Sequence, residues 1–207
     1  KMKRFVITIG REFGCNASEV GRELAARLGV KFYEKELVVR AAAVAGIDED
    51  SISNPDRKVK RNDITHLMQY FINEFGYGIT SSYFSEKAIG AQAYVIRQIA
   101  NTESCVMFGR CADYFLSEFG NTLNVFLYAP LEFRIRHVHE AYKLTQIDAE
   151  KLIKKIDKTR PDYYKTVTGK NRGDRHGRNL MIDMQMFSVE DAVDLIYRAA
   201  QKRFGID

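Results

Sequence analysis

Residues 5–29 constrain this chain more than any other stretch. Phe5-Val6-Ile7-Thr8-Ile9 is short, apolar and rich in β-branched side chains, the pattern of a buried central parallel strand. Gly10-Arg11-Glu12-Phe13-Gly14-Cys15-Asn16-Ala17-Ser18 follows. Its two glycines predict a sharp turn and a close approach of backbone to ligand. Ser18 reads as the N-cap of a helix whose Val20, Leu24 and Leu28 share one face. Gly29 is the expected stop. Strand, glycine loop and helix in that order put free backbone N–H groups and the positive helix end at one point, which is an anion site. The other reading is an ordinary βα turn in which the glycines serve only geometry.

Length and composition bound the rest. The 207 residues suffice for one α/β domain with an inserted subdomain, and 45% apolar residues can bury a core. Lys and Arg number 32 against 27 Asp and Glu, a net charge of +5. That excess suits an anionic ligand and is too weak and scattered to indicate nucleic acid. No apolar run reaches the roughly 20 residues of a membrane span, and no signal-peptide pattern is present. Cys15, Cys105 and Cys111 are odd in number, lack metal spacing and suit a reducing cytoplasm. Cys15 reads as a loop filler, with an activated thiol at a helix N-terminus as the alternative.

Along the chain, Val30–Tyr33 predicts a second strand and 34–45 a helix ending at Gly46. Ile64, Leu67, Met68, Phe71, Ile72 and Phe75 recur at helical spacing, and a further helix is expected over 82–101. Residues 34–102 thus read as a helical insertion between strands. Its aromatics are expected to pack inward, with a homodimer left open. Ser104–Gly109, Leu123–Tyr128 and Leu180–Met184 predict the remaining strands. Helices are expected from Leu131, from 148 to 164, and after Ser188, which with Asp191 is near a capping box. Gly169–Asn179 reads as a basic, glycine-rich loop. Strands alternating with helices predict one domain over 1–207: a parallel five-stranded sheet with helices on both faces, the insertion, and a lid near 131–178.

The loop resembles the phosphate loop of nucleoside monophosphate kinases in an altered form. Against G-x-x-x-x-G-K-[ST], Arg11 falls on the first glycine, Asn16 on the second, Ala17 on the lysine and Ser18 on the hydroxyl residue. Gly109-Arg110, then Glu132-Phe133-Arg134-Ile135-Arg136, then Asp157-Lys158-Thr159-Arg160 are similar in kind and order to motifs of bacterial cytidylate kinases and cytidylate kinase-like proteins. Arg11-Glu12-Phe13-Gly14 and Phe32-Tyr33-Glu34-Lys35-Glu36-Leu37 resemble the kinase-like branch. The likeness covers nearly the full length.

The resemblance implies a site residue by residue. Donor phosphates would meet Gly10, Arg11, Gly14, Cys15, Asn16, Ala17 and Ser18. Ala17 cannot replace the family's lysine, and Arg11 is the substitute, because its fork can grip phosphate oxygens in two places. Arg110 and Arg40 are the implied acceptor-phosphate contacts; the alternatives are an Arg bonding the next helix and a solvated helix charge. Glu34 stands where the family has Asp at the start of the acceptor region. Asp157 and Arg160 are three apart and share a helix face, which also suits a routine ion pair. The family places that pair over the substrate, Asp on sugar or base and Arg on phosphate. Arg134 matches the lid Arg that stabilises the transferred group, so Arg11, Arg134 and Arg160 are the catalytic candidates. Arg136, flanked by Glu132 and Glu140, is expected on a solvent face. Mg²⁺ would rest on Ser18 and on waters around the nucleotide.

The expected activity is ATP-dependent phosphoryl transfer to a pyrimidine nucleoside monophosphate, with CMP favoured. The alternative is a nucleotide-binding sensor or interaction protein that has lost transfer chemistry, motivated by the missing lysine. A weaker third reading is RNA binding by the 170–178 loop, which lacks interleaved aromatics.

Overall fold

A computed structural model describes residues 4–34, 36–45 and 86–206. The expected helix over 63–75 and the Gly76–Gly78 break lie outside these residues, as does much of the insertion. The elements are β1 (Val6–Arg11), α1 (Ala17–Leu28), β2 (Lys31–Tyr33), α2 (Glu36–Ala45), α3 (Glu86–Thr102), β3 (Cys105–Phe108), α4 (Ala112–Phe115), β4 (Thr122–Tyr128), α5 (Leu131–Tyr142), α6 (Gln146–Thr168), β5 (Leu180–Asp183) and α7 (Val189–Phe204).

The five strands pair in parallel in the order β2-β3-β1-β4-β5. Alternation along the strands divides the core. Ile7, Ile9, Val106, Phe108, Val125 and Leu127 face α1 and α7, with Val20, Leu24 and Ile196. Val6, Cys105 and Met107 face the other way, toward Val95, Ile96, Ile99 and Tyr164. A third, smaller cluster joins Val138 of α5 and Leu152, Ile153 and Ile156 of α6 around Phe13. α6 therefore spans two cores, with Pro161 between its two sets of buried residues.

The described ends of the insertion, α2 and α3, pack on each other. α6 is longer at both ends than its apolar pattern alone indicates. Thr145 caps it by accepting from the Asp148 N–H, and Gly169 closes it in a left-handed conformation. α7 has the full capping box, with Ser188 and Asp191 exchanging side-chain to backbone bonds. The four-residue α4 has too few residues to show a periodicity in sequence. Among the described residues no helix is long and apolar enough to cross a membrane.

In a parallel sheet, ligands lie off the carboxyl ends of the strands. β1 is central, so the segments leaving β1, β3 and β4 emerge side by side. The chain after α6 must then return to the amino edge to start β5. The 169–179 loop makes that return: Arg172 bonds the Arg11 carbonyl at the end of β1, and the Asn179 N–H bonds Asn124 early in β4.

Candidate functional site

The turn between β1 and α1 is set by Gly14 and Asn16, both left-handed at φ 85° and 60°. Two expectations change here. Gly10 lies within β1 and makes no turn; a Cβ there would sit 2.9 Å from the Phe126 ring, so Gly10 makes room for that ring. Ser18 is not the N-cap. Asn16 holds that position, without a side-chain cap bond, because the left-handed residue ends the loop one step before Ala17. Ser18 falls in the first helical turn, its hydroxyl 3.4 Å from a Glu34 carboxylate oxygen.

The loop is fastened on two sides. The Glu12 N–H bonds the Leu127 carbonyl at 3.0 Å, and the Glu12 carboxylate accepts from the Ala129 N–H at 3.2 Å. A Cβ on Gly14 would strike Val138 at 2.8 Å, so the glycine lets the loop lie directly on α5. The Cys15 thiol donates to the Glu12 carbonyl, and burial pushes its pKa up to about 11. It is a loop filler and no activated thiol. Cys105 and Cys111 are likewise buried and pushed up to about 12.

A cleft of about 200 Å³ opens over this loop, lined by residues 11–19 with Arg22, Phe108, His137, Ala141, Tyr142 and Arg160. The α1 N-terminus faces it, a setting that favours an anion. The buried Asn16 amide oxygen has no hydrogen-bond partner among the described residues. Ala17 is buried and supplies no cation. Arg11 lies 3.9 Å above the Phe108 ring and fills the space a Gly109 Cβ would need, only 2.2 Å from its Nη1. Burial lowers the His137 pKa against the opposing pull of Glu19 and Glu140, so this ring is neutral at pH 7.

A second, tighter cleft adjoins at the end of β3. Gly109, Arg110 and Cys111 are three consecutive left-handed residues, at φ 75°, 59° and 55°. Gln92 of α3 holds them by donating to the Arg110 carbonyl at 2.9 Å and to the Tyr163 hydroxyl at 3.0 Å. Gly10, Gly109, Arg110, Arg160, Arg172 and Arg178 line this cleft with Cys111, Asp113, Tyr163 and Tyr164. Asp113 accepts from Arg178 at 2.5 Å and from the Tyr164 hydroxyl at 2.7 Å. Burial and Asp113 together push the Tyr164 pKa up. Arg160, 1% exposed, borders both clefts.

The sequence candidates therefore separate. Gly14–Ser18 and Arg11 surround the first cleft, Arg110 and Gly10 the second, and Arg160 both. Arg134 and Asp157 line neither. They pair at 2.6 Å, and Arg134 also donates to the carbonyls of Phe13 at 3.3 Å and Ala129 at 3.0 Å, with Glu12 3.5 Å away. The buried Arg134 thus ties the loop, the end of β4 and α6 together. Glu34 pairs with Arg22 at 3.5 Å. Arg40 is exposed on α2, 5.3 Å over the Tyr33 ring, and lines neither cleft. Arg136 is exposed, as expected.

Sequence reasoning missed Arg172, Arg178, Asp113 and the two tyrosines. The signal was topological. A parallel fifth strand obliges the chain to pass from the carboxyl to the amino edge of the sheet, and Gly169–Asn179 carries its arginines past the site on that path. For Mg²⁺ the donor set is thin: the Ser18 hydroxyl with Glu34 beside it, and among the described residues no group of three or more metal-ligating side chains. That fits a cation carried mainly by nucleotide phosphates.

The model of the cytidylate kinase-like family matches residues 6–186. No curated protein sequence matches. Among solved structures, an uncharacterised protein from Eubacterium ventriosum is similar, with a TM-score of 0.71, 24% identity, and 97% of this chain and 100% of that one covered. Shikimate kinase from Acinetobacter baumannii, solved with shikimate, has a TM-score of 0.51 at 15% identity over 97% and 95% of the two chains. A gluconokinase from Sinorhizobium meliloti has a TM-score of 0.51 at 14% identity over 97% of each. These likenesses show the fold: a parallel five-stranded sheet with helices, as in phosphate-loop kinases.

Proposed function

The chain belongs to the cytidylate kinase-like family, and from that premise we propose that it transfers the γ-phosphoryl group of ATP to a nucleoside monophosphate, with CMP the first acceptor to test. An acceptor phosphate oxygen attacks the γ-phosphorus, and the bond to the β–γ bridging oxygen breaks, releasing ADP. Such transfer needs positioning and positive charge more than covalent chemistry. The observation that carries the reading is Arg160, buried between a cleft at a helix N-terminus and an arginine-lined cleft at the end of β3.

In this reading the first cleft takes the donor. Backbone N–H groups of 14–18 and the α1 N-terminus bind its phosphates, and Arg11 supplies the cation that Ala17 lacks. The second cleft takes the acceptor phosphate on Arg110. Arg160 neutralises charge on the group in flight between them. Arg134 acts through others, holding the loop against the lid helix with Asp157. Glu34 and Arg40 stand at the insertion side, where the acceptor's base and sugar would enter. Mg²⁺, when bound, would be held by the donor phosphates and Ser18 and would neutralise the donor's charge. The proposed lid is the α5–α6 hairpin with the following loop.

The test is ADP formation from ATP and Mg²⁺ with CMP, dCMP, UMP or AMP. Turnover with CMP is expected. Arg11→Ala should lower ATP affinity about tenfold or more, the size of a lost charge-assisted hydrogen bond. A second reading has one observation in its favour, the buried Ala17 methyl where a phosphate cation would stand. Nucleotide binding without turnover for any acceptor would select that reading, a nucleotide sensor.

A further inference from the structure

We infer that Arg172 is a phosphate-binding residue of the second cleft, and that Arg178 positions it. The inference rests on the phosphotransferase reading for the identity of the ligand, the phosphate monoester of the acceptor. Its geometry is independent of that reading.

Arg172 reaches the cleft from a loop, yet it is held in place. Its Nη2 donates to the Arg11 carbonyl at 2.5 Å, the last residue of β1. Its guanidinium lies 5.7 Å from the centre of the Phe126 ring. That ring occupies the space left by Gly10. One carbonyl satisfies one of the five N–H groups of a guanidinium. Among the described residues no carboxylate pairs with Arg172.

The loop itself is pinned. Arg178, its side chain 4% exposed, pairs with Asp113, which also accepts from the Tyr164 hydroxyl. Arg178 then donates from Nη2 to the Arg172 carbonyl at 3.2 Å. Among the described residues, the cleft's lining carries four guanidinium groups and one carboxylate, and Arg178 already holds that carboxylate. A pocket with this balance favours a dianion, and guanidinium forks match phosphate oxygens in pairs. A phosphate monoester supplies two charges and three terminal oxygens, where a carboxylate supplies one charge and two oxygens. The loop's basic character is therefore directed inward at Arg172 and Arg178. Arg175, in contrast, is exposed.

The experiment compares wild type, Arg172→Gln, Arg172→Lys and Arg175→Gln by calorimetry with inorganic phosphate, CMP and cytidine. Circular dichroism and thermal melting accompany each variant. Arg172→Gln should weaken phosphate and CMP about tenfold or more and leave cytidine unchanged. Arg172→Lys should restore part of the loss, since it keeps the charge without the fork. Arg175→Gln removes the same charge from the same loop and should change nothing. Asp113→Asn removes the cleft's carboxylate, which by charge alone would tighten phosphate; weaker binding with Arg172 intact is expected from the loss of the Arg178 anchor, and tighter binding would overturn the positioning role of Arg178. Equal losses from Arg172→Gln and Arg175→Gln would overturn the inference in favour of a general field. Equal losses for CMP and cytidine, unchanged binding, or a loss confined to a single-stranded oligonucleotide added as a further probe would also overturn it. Should wild type turn over no nucleotide while Arg172→Gln still loses phosphate, the reaction reading fails and this inference stands. Turnover with CMP and an unchanged KM in Arg172→Gln would sink this inference alone.

Discussion

Four described residues other than glycine sit in the left-handed backbone region: Asn16, Arg110, Cys111 and Lys143. Three of them border the clefts, where sparsely populated backbone is held by its surroundings. Lys143 is different. It is exposed, closes α5 at φ 57°, and has no role in either cleft. Lys143→Gly should therefore remove strain alone, stabilising by about 1 kcal/mol. That corresponds to a melting temperature about 2–4 °C higher for a chain of this size; a lower one would show that the Lys side chain holds the helix end. The three buried thiols make a second prediction. Each has its pKa raised by burial from 9.0, to about 11 for Cys15 and about 12 for Cys105 and Cys111. The folded protein keeps its protons above pH 9, where the unfolded chain loses them. This contribution to stability is thus complete below pH 9 and is lost as pH rises through 11–12. Iodoacetamide at pH 8 should modify the cysteines only after denaturant is added, and fast labelling of Cys15 in the native protein would contradict its burial.

The elements were legible in proportion to how local their causes are. β1, β3 and β4 announced themselves because strands covered on both faces are mostly apolar. The α7 cap was visible because Ser188 and Asp191 bond within one turn. Asn16 was not recognisable as the N-cap, since its role comes from backbone handedness and not from a side-chain bond. The tie made by Arg134 was hidden for another reason: its partners Phe13, Ala129 and Asp157 lie far apart in the chain and meet only in three dimensions. That tie yields a prediction for the α5–α6 hairpin, whose own core is a small cluster around Phe13. Arg134→Met keeps the volume and removes the bonds. Amide exchange should then speed up in α5 and in residues 146–156 of α6, while residues 162–168, packed in the other core, and α1 stay protected. Uniform acceleration over the whole chain would show that the hairpin does not open as a unit. Pro161 supports such a boundary, because it removes the helical N–H that would bond the Asp157 carbonyl.

At the scale of the whole molecule, the sheet order places the carboxyl ends of β3, β1 and β4 in a row, and the two clefts follow from that row. Their separate outlines conceal one shared wall, the buried Arg160. If a single guanidinium serves two anions, neither ligand binds to the same protein in the presence of the other. Linkage then requires that the factor by which ATP alters the affinity for CMP equal the factor by which CMP alters that for ATP. Calorimetric titrations in both orders should give matching factors that differ from one, and Arg160→Gln should bring both toward one even where each separate affinity falls. Factors of one in the wild-type protein would mean that the two clefts are thermodynamically independent despite their common arginine. With coupling, an excess of one nucleotide sets the working concentration range of the other, so the chain responds to a ratio of cellular pools as well as to each pool separately.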